Sequence, residues 1–388
     1  MILVNTPGSW GHIYAPLDHA EWHGLTPTDL VFPFFLFAVG NAMAFVMPKF
    51  YTEGNKLFWP KVLKRTALIF FIGLCLNWFP FLKWADNIIN GVFINSAIVG
   101  KPWSFNNADG SPAGVRILGV LQRIAICYFF ASVIVYYAKL KGSAIIAAIL
   151  LLGYWAICYI GNPADPYSLT GWVGTSIDKT ILTEYHMYRG ETHNGLKIFF
   201  DPEGLLSSIT GIAHVILGYL AGYFIKKFGN TQKTVLYTIV AGITLFAIGH
   251  LWGYSFPINK KIWSSSYVLI TTGMGLILIA TLIYLFEIIK VPQVFGKFFD
   301  AFGKNPLFIF VLSGALPRLI GLIRINNGIN KAGQQQFISP FGWFYEHVCK
   351  NIIAADLKFG SFIYALIFIL FYWLICYIMD KKKIYVKV

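Results

Sequence analysis

About nine apolar stretches, each roughly 20 residues long, constrain the fold of this chain more than any other feature. A helix of about 20 apolar residues spans the hydrocarbon core of a bilayer. The chain is 57% hydrophobic and 12% charged, whereas soluble domains carry about 25% charged residues. The sequence therefore predicts an all-α fold, a polytopic transmembrane helical bundle forming one domain over 1–388, with helices near 28–47, 64–84, 116–138, 143–161, 205–225, 233–252, 266–288, 305–322 and 359–379.

The lysines and arginines indicate how this bundle is oriented. They cluster in alternate links between the apolar stretches, at 48–65, 139–142, 226–233, 289–304 and the C-terminus. Cytoplasmic loops of membrane proteins are enriched in Lys and Arg, so the net charge of +14 indicates topology and lipid contact, with no nucleic-acid partner. The clustered links are predicted to be cytoplasmic, and the outward loops are then 5–27, 85–115, 162–204, 253–265 and 323–358.

The first candidate site is the outward loop 5–27, which carries three histidines and leads into the first long helix. Imidazole titrates near neutral pH and can act as a base, a nucleophile or a ligand. His19 and His23 are four residues apart, but Gly24 and Pro27 argue against a helix that would place them on one face. We therefore predict no metal site, and a solvated surface role remains the alternative for each histidine.

Asp29 follows this loop, close to Thr28, which is a plausible N-cap for the helix. A carboxylate at the start of an apolar helix is costly at bilayer depth and is usually functional. The alternative is that Asp29 is favoured there only by the helix dipole.

The second candidate site is the segment that contains Arg116, Gln122 and Arg123. Arg123 lies two turns further into the membrane than Arg116. A buried arginine needs an anionic partner, and three are open for Arg123: Asp29, another carboxylate or a bound phosphate. The pattern thus leaves ligand binding and an internal ion pair as alternatives.

Two further polar segments lie in outward loops. Asp201 and Glu203 flank a proline just before a helix, where they could cap that helix or orient an imidazole or a sugar hydroxyl. The loop 257–267 carries Lys260 and Lys261 among aromatic residues. It could be an interfacial anchor or bind an anionic ligand.

Several of these stretches resemble the heparan-α-glucosaminide N-acetyltransferase family, which consists of transmembrane acetyltransferases. The resemblance covers nearly the whole chain. Its most specific motifs are the His-Ala-x-Trp-x-Gly-Leu-Thr-x-x-Asp-Leu-Val-x-Pro run, Gly-Val-Leu-Gln-Arg and Asp-Pro-Glu-Gly. The stretches that carry the resemblance are Leu17 to Gly40, Arg116 to Ile126, Phe200 to Leu206, Phe256 to Tyr267, Phe302 to Gly314 and the Lys383-Ile384 tail.

The resemblance implies a bacterial-type member without the lumenal domain, placed in the inner membrane. It implies transfer of acetyl from cytosolic acetyl-CoA to a glucosamine-type amine on the outer face. His19 matches the key histidine of the family, and Asn5 matches an active-site asparagine. Family members carry a full helix before the stretch that corresponds to Met1-Ile2-Leu3-Val4, so a tenth helix is expected upstream.

These arguments predict an acetyl-CoA-dependent acyltransferase with an amino-sugar or glycan acceptor, and a homodimer is possible. The alternative is a secondary transporter for a sugar or an anionic metabolite, which would not release free CoA. The predicted residues are catalytic His19, Asn5 and Asp29, donor-binding Gln122, Arg123, Arg116 and Lys261, and acceptor-binding Trp22, Asp201 and Glu203. Trp22 is expected to screen His19 from bulk water.

Overall fold

The structure is a computed structural model, and it describes residues 1–386 except 90–91, 108, 293, 330–334 and 354. The chain forms two compact units. The first unit comprises Met1–Asp18, Cys75–Trp103 and Val294–Lys387, and the second comprises His19–Leu74 and Ser104–Gln293. That both belong to a single acyltransferase domain stays a prediction.

Helices dominate the described residues, and short antiparallel hairpins occupy the loops. The helices are α1 Ile2–Asn5, α2 Val31–Glu53, α3 Asn55–Trp78, α4 Val120–Gly161, α5 Gly174–Leu182, α6 Ser208–Phe228, α7 Gln232–Trp252, α8 Ser265–Ile283, α9 Val294–Gly303, α10 Pro306–Ile320, α11 Pro340–His347 and α12 Leu357–Lys381. The hairpins pair β1 Leu82–Ile89 with β2 Val92–Gly100, β3 Ser104–Asn106 with β4 Pro112–Gly114, β5 Glu191–His193 with β6 Leu196–Ile198, and β7 Ile325–Ile329 with β8 Gln335–Ile338.

The prediction of an all-α polytopic membrane protein is confirmed. Within the residues described, six helical segments are long and apolar enough to cross a membrane. They are Pro27–Glu53, Val120–Gly161, Ser208–Phe228, Gln232–Trp252, Ser265–Ile288 and Leu357–Lys381. Each of the nine predicted apolar stretches coincides with helix in the structure, although α10, at 15 residues, is shorter than a full span.

Helix α4 covers two of the predicted helices, those near 116–138 and 143–161. Its 42 residues are interrupted at Lys139, whose φ of 57° and ψ of −164° are not helical. Arg123 lies over the ring of Trp263, and the Tyr154 hydroxyl donates to the carbonyl of Ile262. Their partners Ile262 and Trp263 are adjacent in sequence, yet in a straight helix Arg123 and Tyr154 would lie about 46 Å apart. The chain must therefore reverse at Lys139, as the short link between the two predicted helices indicated.

The predicted link 48–63 is wrong, because helix occupies nearly all of it. Helix α2 continues to Glu53 and α3 starts at Asn55, far before the predicted start at 64. The lysines suggested a link, but Phe58 and Val62 are buried one turn apart while the lysines face outward. This amphipathic spacing is the helical signal that was missed. Helix α3 ends at Trp78, before the predicted end near 84.

In the second unit, close contact between α2 and α6 organises the core. A side chain at Gly40 would collide with the backbone of Val215, and one at Gly218 would collide with the carbonyl of Phe37. Small residues let two membrane helices approach until their backbones touch. Glycine is therefore required at both positions, and it sets the distance between the two helices that lead to the candidate site.

The first unit has an aromatic core of its own. Buried residues of α11 and α12 surround the short helix α1, and they include Tyr345, Tyr364 and Tyr372. Ile2 packs into this cluster, whereas Asn5, at the end of α1, is exposed. The structure therefore places Asn5 in a different unit from His19.

Replacing Gly218 with leucine should destabilise the second unit, because the new side chain has no space against α2. Overpacking of this kind costs about 1–3 kcal/mol, and a clash with backbone costs at least that much. Thermal unfolding in detergent, followed by size-exclusion chromatography, measures the loss. Gly153→Leu is the matched control, since nothing lies within 4 Å of a side chain at that position of α4. Equal melting temperatures for the two variants would contradict the proposed helix contact.

Candidate active site

Asp29 is held by a capped turn at the start of α2. Thr26 is the N-cap of a 3₁₀ turn over Pro27–Leu30, so the predicted N-cap at Thr28 is wrong. Proline at the first position favours this start because its φ angle is already helical. The Thr26 amide and hydroxyl donate to Asp29 Oδ2 at 3.1 and 3.0 Å, and the Ala20 amide donates to the same oxygen at 3.1 Å.

The other oxygen of Asp29 faces the imidazole of His19. His19 Nδ1 lies 2.7 Å from Asp29 Oδ1. Because a carboxylate can only accept, Nδ1 carries a hydrogen, and in a neutral ring the lone pair is then on Nε2. The carboxylate is 1% exposed and the imidazole is 39% exposed. Oδ2 of Asp29 therefore completes the turn at the start of the helix, and Oδ1 orients the imidazole of His19.

Lys260 joins this pair and was missed in the predicted residue set. Its Nζ lies 3.1 Å from Asp29 Oδ1 and 3.0 Å from His19 Nδ1. Burial lowers the pKa of the Lys260 amine, and the charge of Asp29 opposes that shift without cancelling it. A sequence signal was present, because two adjacent lysines in a loop predicted to face outward depart from the positive-inside pattern.

Arg116 forms an ion-pair cluster with Asp201 and Glu203. It donates to both oxygens of Asp201, at 3.1 and 2.5 Å, and also to Glu203 Oε2. Its guanidinium lies 4.7 Å from the centre of the Tyr188 ring. Burial opposes ionisation of Glu203, but the charge of Arg116 outweighs it and lowers the pKa of that carboxyl. Neither carboxylate caps α6, whose N-cap is Ser207.

The predicted donor-binding residues Gln122 and Arg123 are fully buried in the first turn of α4. Arg123 donates to the Ser207 hydroxyl and to the carbonyl of Gly204 at 3.3 Å, and it lies 4.9 Å from the centre of the Trp263 ring. Its contacts are thus with the chain before α6 rather than with Asp29.

Lys261 and Trp22 form one side of the site. Lys261 Nζ donates to Glu191 Oε2 and to the carbonyl of Glu21, both at 2.8 Å. The ammonium lies 5.8 Å from the centre of the Trp22 ring. Trp22 itself packs edge-on against Phe200, and the centres of the two rings are 5.3 Å apart. These contacts join three separate loops around the imidazole.

These groups surround a cavity of about 230 Å³. It is smaller than pockets for drug-sized ligands, which measure about 300–1,000 Å³, so it suits a small fragment such as one sugar ring or an acyl head. Its lining comprises His19, Ala20, Trp22, Asp29, Arg116, Val120, Tyr188, Glu191, Pro202, Glu203, Lys260, Lys261 and Trp263.

The cavity brings together most, though not all, of the predicted site residues. Asp201 is buried and holds Arg116, while Gln122 and Arg123 do not line the cavity. In the part of the chain that the structure describes, no three His, Cys, Asp or Glu side chains form a group that could hold a metal ion.

Two curated relatives align with the whole of this chain. The human protein named heparan-alpha-glucosaminide N-acetyltransferase is 25% identical over 447 aligned residues, covering 100% of this chain and 58% of the relative. The mouse protein of the same name is 24% identical with the same coverage. These matches support membership of the heparan-α-glucosaminide N-acetyltransferase family. No family model matches the chain.

The chain spans little more than half the length of these relatives, 58% in each case. The resemblance seen in the histidine loop and the arginine segment is nevertheless confirmed over the whole chain. The six apolar helices independently support a multi-pass membrane protein.

Asp178 is a buried carboxyl close to the site that the sequence did not single out. It lies in α5 and accepts a hydrogen bond from the amide of Leu205 at 2.9 Å, next to the segment that carries Asp201 and Glu203. Burial raises its pKa to about 7, against the opposing effect of that hydrogen bond. The fold therefore favours the protonated form.

Replacing Asp178 with asparagine should stabilise the protein at pH 8 and leave its stability at pH 4 nearly unchanged. The folded protein holds a proton on Asp178 that the unfolded chain releases near pH 4, so the contribution of this group falls as the pH rises from about 4 to about 7. Asparagine keeps an acceptor for Leu205 but cannot ionise. Thermal unfolding of the parent and the variant across this pH range measures the difference, and a constant difference would contradict the assignment.

Proposed function

We propose that this chain transfers an acetyl group from acetyl-CoA to the amine of a glucosamine-type sugar. The observation that carries the proposal is the pair of His19 and Asp29 at a cavity in a multi-pass membrane protein. The half-exposed imidazole, oriented through Nδ1 by a buried carboxylate, has the arrangement of a general base or nucleophile. The names of the two relatives supply the acetyl group and the amino sugar.

In the proposed reaction, His19 Nε2 accepts a proton from the sugar amine as the amine nitrogen attacks the thioester carbonyl. The new C–N bond forms, the C–S bond of acetyl-CoA breaks, and the thiolate of CoA takes up the proton. In the alternative route, Nε2 attacks the thioester first, the C–S bond breaks and CoA leaves as the thiolate. The amine then attacks the acetyl carbonyl, the bond from that carbonyl to Nε2 breaks, and the amine proton passes to the released Nε2. Both routes need the same neutral imidazole.

The remaining predicted roles belong to this proposal. Trp22, Asp201 and Glu203 would shape the acceptor site, with Asp201 acting through Arg116. Arg116, Gln122, Arg123 and Lys261 would contribute to binding the anionic donor, and Asn5 would assist catalysis. The two units would work as one acyltransferase domain, and a homodimer stays a prediction.

We further propose that the cavity faces the outside of a bacterial inner membrane. The segment before α6 forms part of the site, and Lys226 and Lys227 lie in the last turn of α6. Its 21 residues span about 31 Å, close to the thickness of the hydrocarbon core. Since clustered lysines favour the cytoplasm, the site end is then external and the C-terminal lysines are cytoplasmic.

Cysteine labelling in intact cells tests this orientation. In a background without the five native cysteines, Glu21→Cys should react with a membrane-impermeant maleimide. Lys227→Cys should react only after the membrane is permeabilised. Labelling of both positions from the same side would refute the arrangement.

Replacing His19 with alanine should abolish acetyl transfer in a protein that still folds and binds CoA. Loss of a general base costs about 10²–10⁴ in rate, and loss of a covalent acceptor costs more. The assay incubates purified protein with radiolabelled acetyl-CoA and glucosamine and follows label on the sugar and on the protein. Size-exclusion chromatography checks the fold.

His12→Ala is the matched control for this experiment. His12 lies in the first unit, where Nδ1 is 3.2 Å from the Ser9 hydroxyl, and the variant should keep most of its activity, as should His23→Ala. If the His19 variant acetylates glucosamine at near the parent rate, the proposed mechanism is wrong. If the parent moves sugar across vesicles without releasing CoA, the transporter alternative is favoured.

A further inference from the structure

We propose that Lys260 is a positioning residue for the proposed reaction: by sharing Asp29 with His19, its ammonium keeps the imidazole in the neutral form that can accept a proton or an acetyl group. The inference rests on the proposed function, and it extends that function to a residue that neither the motifs nor the relatives assign.

The geometry supplies the first argument. Asp29 Oδ2 is occupied by the Ala20 amide and by Thr26, so the charge of the carboxylate faces the site through Oδ1. Both His19 Nδ1 and Lys260 Nζ contact this one oxygen. A buried carboxylate beside an imidazole alone favours the protonated ring. A second cation at the same oxygen offsets that charge, so the ring can stay neutral while keeping its orientation.

Lys260 is held in place by its loop, so this contact is not that of a mobile surface side chain. The Trp263 amide donates to the carbonyl of Lys260, and the side chain of Asn259 accepts from the amide of Ile262 at 3.0 Å. The Gly24 amide donates to the carbonyl of Ile258 at 2.8 Å, which attaches the loop to the segment after His19. These hydrogen bonds fix the backbone of the loop, so the Lys260 side chain starts from a defined position beside Asp29.

The other cations of the cavity have carboxylate partners of their own. Lys261 pairs with Glu191, and Arg116 pairs with Asp201 and Glu203. Lys260 is therefore the lysine that forms an ion pair with Asp29.

The titratable and charged groups that face His19 or share its segment are Asp18, Glu21, His23, Asp29, Arg116, Tyr188, Glu191, Glu203, Lys260 and Lys261.

The test measures how fast His19 reacts with diethyl pyrocarbonate as a function of pH. Of the two forms of histidine, this reagent modifies only the neutral one, and peptide mass spectrometry separates His19 from His12 and His23. The readout requires no acetyl transfer. In parallel, kcat/KM for acetyl-CoA and glucosamine is measured over the same pH range with the full chain in detergent or lipid.

In Lys260→Met, the midpoint of the modification rate and the acid limb of kcat/KM should both move to higher pH by about one unit or more. At a pH well below both midpoints, activity then falls about tenfold, and it recovers in alkaline buffer. Lys260→Arg keeps the charge and should leave both midpoints near those of the parent. Lys197→Met, an exposed lysine of β6, is the control for a change in overall charge.

Unchanged midpoints in Lys260→Met would overturn the proposal. An unchanged midpoint with a higher KM for acetyl-CoA would assign Lys260 to donor binding instead, and would overturn it equally. If the parent transfers no acetyl group while the modification midpoint still shifts, the proposed function fails and the contact between Lys260 and His19 stands. Should Lys260→Met fail to fold, Lys260→Gln removes the same charge and is measured in its place.

Discussion

The candidate site depends on one buried carboxylate, that of Asp29. A charge removed from water must be compensated by hydrogen bonds and an opposite charge, and here three segments supply them. The Ala20 amide and Thr26 bind one oxygen, while His19 and Lys260 bind the other. The need to satisfy Asp29 thus brings the histidine loop, the first turn of α2 and the loop before α8 to one point. The Tyr267 hydroxyl of α8 adds a bond to the backbone carbonyl of Asp29 at 2.6 Å.

Much of this could be predicted from the sequence because apolar length and charge are local signals. The spanning helices and the reversal near Lys139 follow from hydropathy and turn signals. The cost of an intramembrane carboxylate singles out Asp29, but its pairing with His19 is seen only in the structure. Lys260 could not be placed in the same way, because its role depends on a contact with Asp29, 231 residues away along the chain. Helix α3 was misjudged where its lysine face resembled a link.

The partners of the two arginines could not be identified from the sequence either. Arg116 and Arg123 lie two turns apart in sequence, and Arg123 was expected to need an anionic partner. The structure gives Arg116 two carboxylates and gives Arg123 a hydroxyl, a carbonyl and an indole face. Sequence spacing indicates that a buried arginine must be compensated. Which partner compensates it is decided by the packing of α4 against the chain before α6, and no local pattern contains that information.

The glycine contact between α2 and α6 has a consequence for the tolerances of the site. Asp29 immediately precedes α2, and the carboxylates that bind Arg116 lie shortly before α6. Because Gly40 and Gly218 let the two backbones touch, the helices have little freedom to slide, and a slip of one residue would displace one wall of the cavity by about 1.5 Å. The absence of a side chain at these two glycines, within the helices, thus sets the alignment of the polar groups that surround the cavity.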